Sequence, residues 1–271
     1  MRRRQLGQQL RELRQQAEVS MDEAAAVLGC ARSRVSHIET GRNPPRKPDL
    51  EVLLRHYGAL DRLDTLEELR REGGKRGWWS TSRLPGWLQA YVGLEADATL
   101  VRSFMLELIP GLLQTADYAR LVNVTGGVPA EEVERRVTAR LRRQQRLAEA
   151  KLTLSAVISE GALRRLTDHE VAAEQLRHLE DRARLPNVQL HVLPFNVGVH
   201  RSMSGSFSLL SFAPGVSLPI AYQEYAVSGD LVDDQDVVQR LSDMYDALRD
   251  QALGTDETLS MISGLTRQLE R

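Results

Sequence analysis

Apolar positions at the start of the chain recur with a helical period. Leu6, Leu10, Leu13 and Ala17 stand at i, i+4, i+7 and i+11, one stripe on an otherwise polar segment. Ser20-Met21-Asp22-Glu23 then has the form of a capping box, in which the serine hydroxyl and the glutamate carboxylate satisfy orphan amides at a helix start. The second helix runs to about Leu28 and stops at Gly29, and a third covers residues 32–40, with Val35 and Ile38 turned inward and Gly41 as the next stop. Two short helices across a tight glycine turn make a helix-turn-helix. Residues 49–57 and 61–72 read as two more helices, so residues 1–72 are expected to form a five-helix domain.

The string 73–77, Gly-Gly-Lys-Arg-Gly, has linker composition, and the linker is placed over residues 73–80. Beyond it, a second domain is expected over residues 81–271. Residues 84–122 read as mainly helical, interrupted at Pro110-Gly111, and residues 129–150 as a long helix with its proline in the first turn. The period then changes. Residues 152–158, 188–193, 206–212 and 220–225 have the alternation or short apolar runs of strands. Helices are expected at 168–184, capped by Thr167 with Glu170, and at 234–252 and 256–269. Strands separated by helices predict a mixed α/β or α+β second domain.

Composition narrows the class. In 271 residues, 42% hydrophobic and 27% charged, nothing departs from an ordinary globular chain. No run of about 18 apolar residues offers a membrane span, and the segment behind the first arginines is not apolar, so the expectation is a cytoplasmic protein without a membrane role. The lone cysteine, Cys30, excludes an intramolecular disulfide and reads as a small core residue. Net charge is -1, but its distribution is uneven. Residues 1–47 hold ten Lys/Arg against five Asp/Glu, whereas residues 78–271 hold twenty against twenty-five. A basic head on an acidic body favours phosphate at one end.

The helix-turn-helix gives that charge a use. A small Ala25 lets the second and third helices approach closely, and Arg32, Ser33, Ser36 and His37 are left on the outer, N-terminal part of the third helix, where this motif meets base edges in a major groove. Arg32 can donate two hydrogen bonds to guanine. Ser20, Arg34, Arg42, Arg46 and Lys47 are placed for phosphates, contacts that orient a protein without reading sequence. The expected partner is double-stranded DNA with two half-sites, met by a homodimer.

No enzyme signature accompanies it. The six histidines are scattered, no Cys/His cluster offers metal ligands, no Gly-rich loop precedes a helix to cradle phosphate, and Gly205-Ser206-Phe207 lacks the second glycine of a nucleophile elbow. The expectation is a non-enzyme with no cofactor, no metal and no catalytic residue. Trp78, Trp79, Trp87 and Tyr91 gather much of a sparse aromatic content after the linker and form a candidate ligand or partner surface, with core packing as the plainer reading. Phe195, His200, Phe207 and Tyr222 are candidates for lining a small-molecule pocket. Arg135, Arg136, Arg140, Arg142, Arg143 and Arg146 load one long helix, opposite Val133, Val137 and Leu141, and read as a solvated face.

The stretch S-M-D-E-A-A-A-V-L-G-C-A-R-S-R-V-S-H-I-E-T-G resembles the lambda-repressor-like helix-turn-helix family, also called the xenobiotic-response-element or Cro/C1 family. That resemblance implies that Glu39 pairs with Arg14 of the first helix as a structural ion pair. Met21 and Ala31 depart from the family's frequent glutamine or threonine and its N-capping serine or threonine. Further along, R-G-W-W at 76–79, Y-V-G-L-E-A at 91–96, I-P-G-L-L-Q-T-A-D-Y-A at 109–119 and L-P-N-V-Q-L-H-V-L-P-F at 185–195 resemble a regulator family abundant in Streptomyces and related actinobacteria, whose C-terminal domain is catalogued as one of unknown function, number 5753. The resemblance implies a transcriptional regulator with a ligand-sensing or partner-binding body, encoded beside a small partner protein; an antitoxin-like module that sequesters that partner and autoregulates is the alternative.

Overall fold

The computed structural model describes residues 2–74 and 84–269. They divide into two compact units, the first built from residues 2–74 with 213–217, the second from residues 84–212 and 218–269. Trp78, Trp79 and most of the 73–80 linker lie outside the described residues. Among those described, no helix is long and apolar enough to cross a membrane.

The first unit is helical: α1 (Arg2–Gln16), α2 (Met21–Val27), α3 (Arg32–Glu39), α4 (Lys47–His56) and α5 (Leu63–Gly74). The Ser20 capping box forms, with the Glu23 amide donating to the Ser20 hydroxyl at 3.2 Å and the Ser20 amide to Glu23 Oε2 at 2.7 Å. The α1 stripe closes over a core of Leu6, Leu10, Ile38, Leu50, Leu54 and Leu66. A second cluster, Ala24, Ala25, Val35, Leu53 and Tyr57, fills the space where α2, α3 and α4 meet, with Cys30 packed at its edge. Gly41 turns the chain after α3 with φ +71°, and a Cβ there would stand 2.7 Å from the Arg4 backbone. Gly7 is buried where α1 crosses the end of α3. A Cβ on it would lie less than 3.0 Å from the carbonyl oxygens of Ile38 and Glu39. The contact admits glycine alone.

The second unit is a six-stranded mixed sheet with helices on its faces. Its elements are α6 (Gly86–Glu95), β1 (Leu100–Met105), α7 (Ala116–Thr125), α8 (Ala130–Ala148), β2 (Thr153–Ser159), α9 (Glu160–Arg164), α10 (His169–Ala183), β3 (Val188–Leu193), β4 (Phe207–Ser211), β5 (Ile220–Glu224), β6 (Gly229–Val232), α11 (Gln235–Gln251) and α12 (Thr255–Leu269). The order is β3-β2-β1-β4-β5-β6. β1, β2 and β3 run parallel through helical crossovers, and β4, β5 and β6 add an antiparallel meander at the other side of β1. β2 is buried along nearly its whole length, as expected where both faces are covered.

Several expectations are corrected here. Residues 100–105 lie in a strand, not in a mainly helical segment. β1 is central and hydrogen-bonded on both edges, so sheet pairing overrides a local pattern that resembles its helical neighbours. α10 is capped by Asp168, whose carboxylate accepts from the Val171 amide at 3.2 Å, rather than by Thr167 with Glu170. α9 and β6 are additional elements, too short for periodicity to reveal. The largest correction concerns α8. Its buried stripe is Val133, Val137, Gln144 and Leu147, Arg140 falls on the same line, and Leu141 is exposed. Arg140, Arg143 and Arg146 therefore turn into the protein, because the partners awaiting them are polar.

Period-two alternation on β1 separates two environments. Phe104 joins Val157, Leu209, Ala221 and the α11 residues Val238, Leu241, Tyr245 and Leu248 in the core on one face. Arg102 on the same side donates to Ser242 at 2.9 Å. Val101, Ser103 and Met105 face the other way, onto a cavity.

Two glycines give opposite expectations. Gly7→Ala should destabilise the first unit by about 1–3 kcal/mol through overpacking against backbone. Gly264→Ala, in α12 with open space around the added methyl, should stabilise by roughly 0.5–1 kcal/mol. Urea denaturation of the full chain measures both, and equal effects would refute the close α1–α3 approach.

Candidate functional site

The exposed surface of the helix-turn-helix is built on α3. Arg32, Ser33 and His37 are exposed and Ser36 is half-buried, while Val35 and Ile38 are buried on the inner side. The small side chains of Ala24 and Ala25 let α2 lie close beneath it. Arg32 reaches Asp22 at 3.7 Å, with both side chains well exposed, a contact worth little in water. Ala31 occupies the N-cap position of α3 without a side-chain hydrogen bond, so the first amides of that helix keep no side-chain acceptor.

Arg34 is engaged inside the unit. Its Nη2 donates to Asp49 Oδ2 at 2.5 Å, and Asp49 also accepts from the Arg46 amide at 3.2 Å. One carboxylate thus ties α3 to the start of α4. Arg42, Arg46 and Lys47 are exposed around the turn between those helices, and Ser20 is exposed at the start of α2. The structure brings Arg14 and Glu39 together. Arg14 Nε and Nη2 donate to the two carboxylate oxygens at 2.6 and 3.0 Å, and Nη1 donates to the Val19 carbonyl at 2.8 Å. Both residues are 7% exposed, and the bond to Glu39 raises the arginine's already high pKa.

In the second unit a cavity of about 420 Å³ opens between the sheet and the wall formed by α6, α8 and residues 107–114. That volume lies in the range that holds small ligands. Trp87 and Tyr91 both line it. Phe207 and Tyr222 line it too, whereas Phe195 and His200 border a different hollow. Tyr91 and Tyr222 stack with ring centroids 4.2 Å apart.

The polar wall rests on Glu95, which is 2% exposed on the buried stripe of α6. Arg143 donates to both of its oxygens at 2.7 Å, and the Tyr91 hydroxyl donates to Oε2 at 2.8 Å. Arg146 donates to the Glu95 carbonyl at 2.6 Å and to that of Ala98 at 3.0 Å. Burial works against the Arg143 charge, but Glu95 outweighs it and leaves the guanidinium pKa raised. Burial raises the Tyr91 phenol well above its ordinary value, and Glu95 adds to the shift. Glutamines hold the rim. Gln144 donates to the carbonyls of Gly111 and Gln114, Gln114 to that of Ile109, and Gln175 to that of Leu113.

Arg140 has a different setting. Its Nη1 donates to Gln114 Oε1, and no described carboxylate lies within 4.0 Å of its guanidinium. Burial and the like charge of Arg143 lower its pKa to about 10. Across the sheet, Ser103 of β1 pairs with Ser208 of β4, and Ser208 with Tyr222 of β5, so three hydroxyl residues form a lateral row facing the cavity. Ser103 Oγ and the Tyr222 hydroxyl are buried with no hydrogen-bond partner, as is Arg136 Nε.

A helix-turn-helix domain family matches residues 5–69, and the family model described as a domain of unknown function (DUF5753) matches residues 88–264, well over half of the chain. The chain belongs to the DUF5753 family. No curated protein and no solved structure matches it.

The sequence pattern alone did not assign Ser103, Gln114, Arg140 and Arg143 to the lining of the DUF5753 cavity, nor Glu95 to the pair that holds Arg143. Two signals point to them. Leu88, Tyr91 and Val92 lead at helical spacing to Glu95, a carboxylate where a core residue belongs, and Arg140 and Gln144 interrupt the stripe that runs from Val133 to Leu147. Polar residues on apolar stripes need partners within the fold.

Glu95→Gln leaves Arg143 buried without its counter-charge and should cost about 3–5 kcal/mol. The double variant Glu95→Leu with Arg143→Met should recover much of that loss in denaturant melts. A Glu95→Gln protein as stable as the parent would show that the pair does not hold α6 to α8.

Proposed function

We propose that this protein is a sequence-specific DNA-binding transcriptional regulator, dimeric on its operator, whose DUF5753 domain senses a ligand and thereby alters operator affinity. The observation that carries the reading is the surface of α3: within a matched helix-turn-helix domain, the second helix of the motif presents Arg32, Ser33 and His37 to solvent on a rigid base. Arg32 and its neighbours read base edges, with Ser36 beside them. Phosphate contacts fall to Arg42, Arg46, Lys47 and the Ser20 hydroxyl, which here accepts from Glu23 and still has a proton to donate. Arg34 serves first as the α3–α4 tie through Asp49. The uncapped amides at the start of α3 suit a phosphate oxygen. Two copies would meet half-sites about one helical turn, roughly 34 Å, apart.

Selection of bound duplexes from a random pool tests specificity. Enrichment of a two-half-site sequence is the expected result, and a pool that stays random at moderate salt rejects sequence reading. On the selected site, Arg32→Ala should lose about 1–3 kcal/mol of discrimination at one base pair. Arg42→Ala or Lys47→Ala should instead weaken binding to all duplexes and lower the salt slope by about one. Purification of the full chain from its own cells adds a further outcome: a stoichiometric small protein would favour sequestration of a partner over ligand sensing.

A further inference from the structure

We infer that the DUF5753 cavity binds a small hydrophobic monocarboxylate, its carboxylate held by Arg140 and the hydroxyls of Tyr222 and Ser103 and its body laid along the apolar wall. The inference deepens the sensing reading by naming a ligand class; the binding itself does not depend on that reading.

Charge accounting selects one negative charge. Arginines 136, 140 and 143 line the cavity. Arg143 is neutralised by Glu95 in a two-bond pair, and Arg136 donates to Glu132 at 3.2 Å. Arg140 remains, with one hydrogen bond, to a neutral amide, out of five N–H donors. Glu224 lines the same cavity and its charge is felt at Arg140, yet it is exposed and forms no ion pair with it. A half-buried cation without a carboxylate partner is unfavourable unless something supplies the counter-charge. A dianion such as phosphate would meet one free guanidinium and the Glu224 carboxylate, so a monoanion fits better.

The sheet supplies the remaining donors. Ser103 is 3% exposed and Tyr222 4%, and both face the cavity; neither hydroxyl completes a hydrogen bond among the described residues, although the Glu224 carboxylate stands near enough to Tyr222 to raise its phenol pKa. Adjacent strands stand about 4.8 Å apart, so the row Ser103, Ser208, Tyr222 spans roughly 10 Å on one face. Two unsatisfied hydroxyls in such a row are costly in a closed core and useful in a site. Around them the lining is apolar: Val101, Met105, Ile109, Leu112, Leu154 and Phe207. Donors at one place and hydrocarbon elsewhere describe a receptor for an acid with an apolar body.

The test uses the full chain without DNA, so a failure of operator recognition leaves it unaffected. 4-Phenylbutyrate, indole-3-propionate and decanoate are titrated against their primary amides, with inorganic phosphate as the dianion control, following calorimetric heat and thermal shift. At least one acid should bind at least tenfold more tightly than its amide. Arg140→Met should abolish that preference while leaving the ligand-free melting temperature unchanged or higher, because it removes an uncompensated charge. Tyr222→Phe should weaken the acid several-fold without loss of ligand-free stability. Equal binding of acid and amide, saturable binding of phosphate at the same site, binding by none of the acids, or an Arg140→Met protein that melts lower than the parent would each overturn the inference.

Discussion

A buried arginine joined by two hydrogen bonds to a buried glutamate occurs in each unit, and what each unit can present to a partner depends on it. In the first, Arg14 and Glu39 close the end of α3 against α1, in the place where Gly7 lets the backbones touch. In the second, Arg143 and Glu95 join α8 to α6. Such pairs add little net stability over apolar residues of the same size, but half of one is very costly. They therefore specify geometry: only the arrangement that brings both partners together is tolerated.

In the helix-turn-helix this geometry leaves α3 fixed along its inner side and free on its outer side. Val35 and Ile38 hold it from below, Glu39 and Arg34 from its ends, and the remaining positions owe nothing to the fold. Side chains that the fold does not need are the ones available to contact another molecule. Rigid support beneath them limits the entropy lost when they do so.

In the DUF5753 domain the same device has a further consequence. Because Glu95 is engaged by Arg143 and Tyr91, it forms no ion pair with Arg140 one turn away on α8. Arg140 is left beside glutamines that also brace residues 109–114, the rim of the cavity. A molecule that engages Arg140 would thus touch a hydrogen-bond partner of Gln114, one of the glutamines that hold the rim. Packed polar networks of this kind have few intermediate arrangements.

Much of the first unit was legible in the sequence because its information is local. The Leu6-Leu10-Leu13-Ala17 stripe, the Ser20–Glu23 box and the stop at Gly41 each act within one or two helical turns, and the period and caps suffice to place them. The mixed α/β character of the second unit was legible for the same reason. Arg140, Arg143 and Arg146 were not, since a solvated arginine face and an inward one have the same spacing and differ only in whether Glu95, Gln114 and the Ala98 carbonyl come to meet them. β1 was missed likewise: a six-residue segment becomes a central strand through β2 and β4, which lie far along the chain. The sequence by itself determined the helix-turn-helix and the classes of element, because hydrogen bonds and apolar periods of short range decide those. The tertiary structure alone decided which charges are buried, which hydroxyls share a row and where the cavity opens, because each requires side chains distant in sequence to be desolvated together.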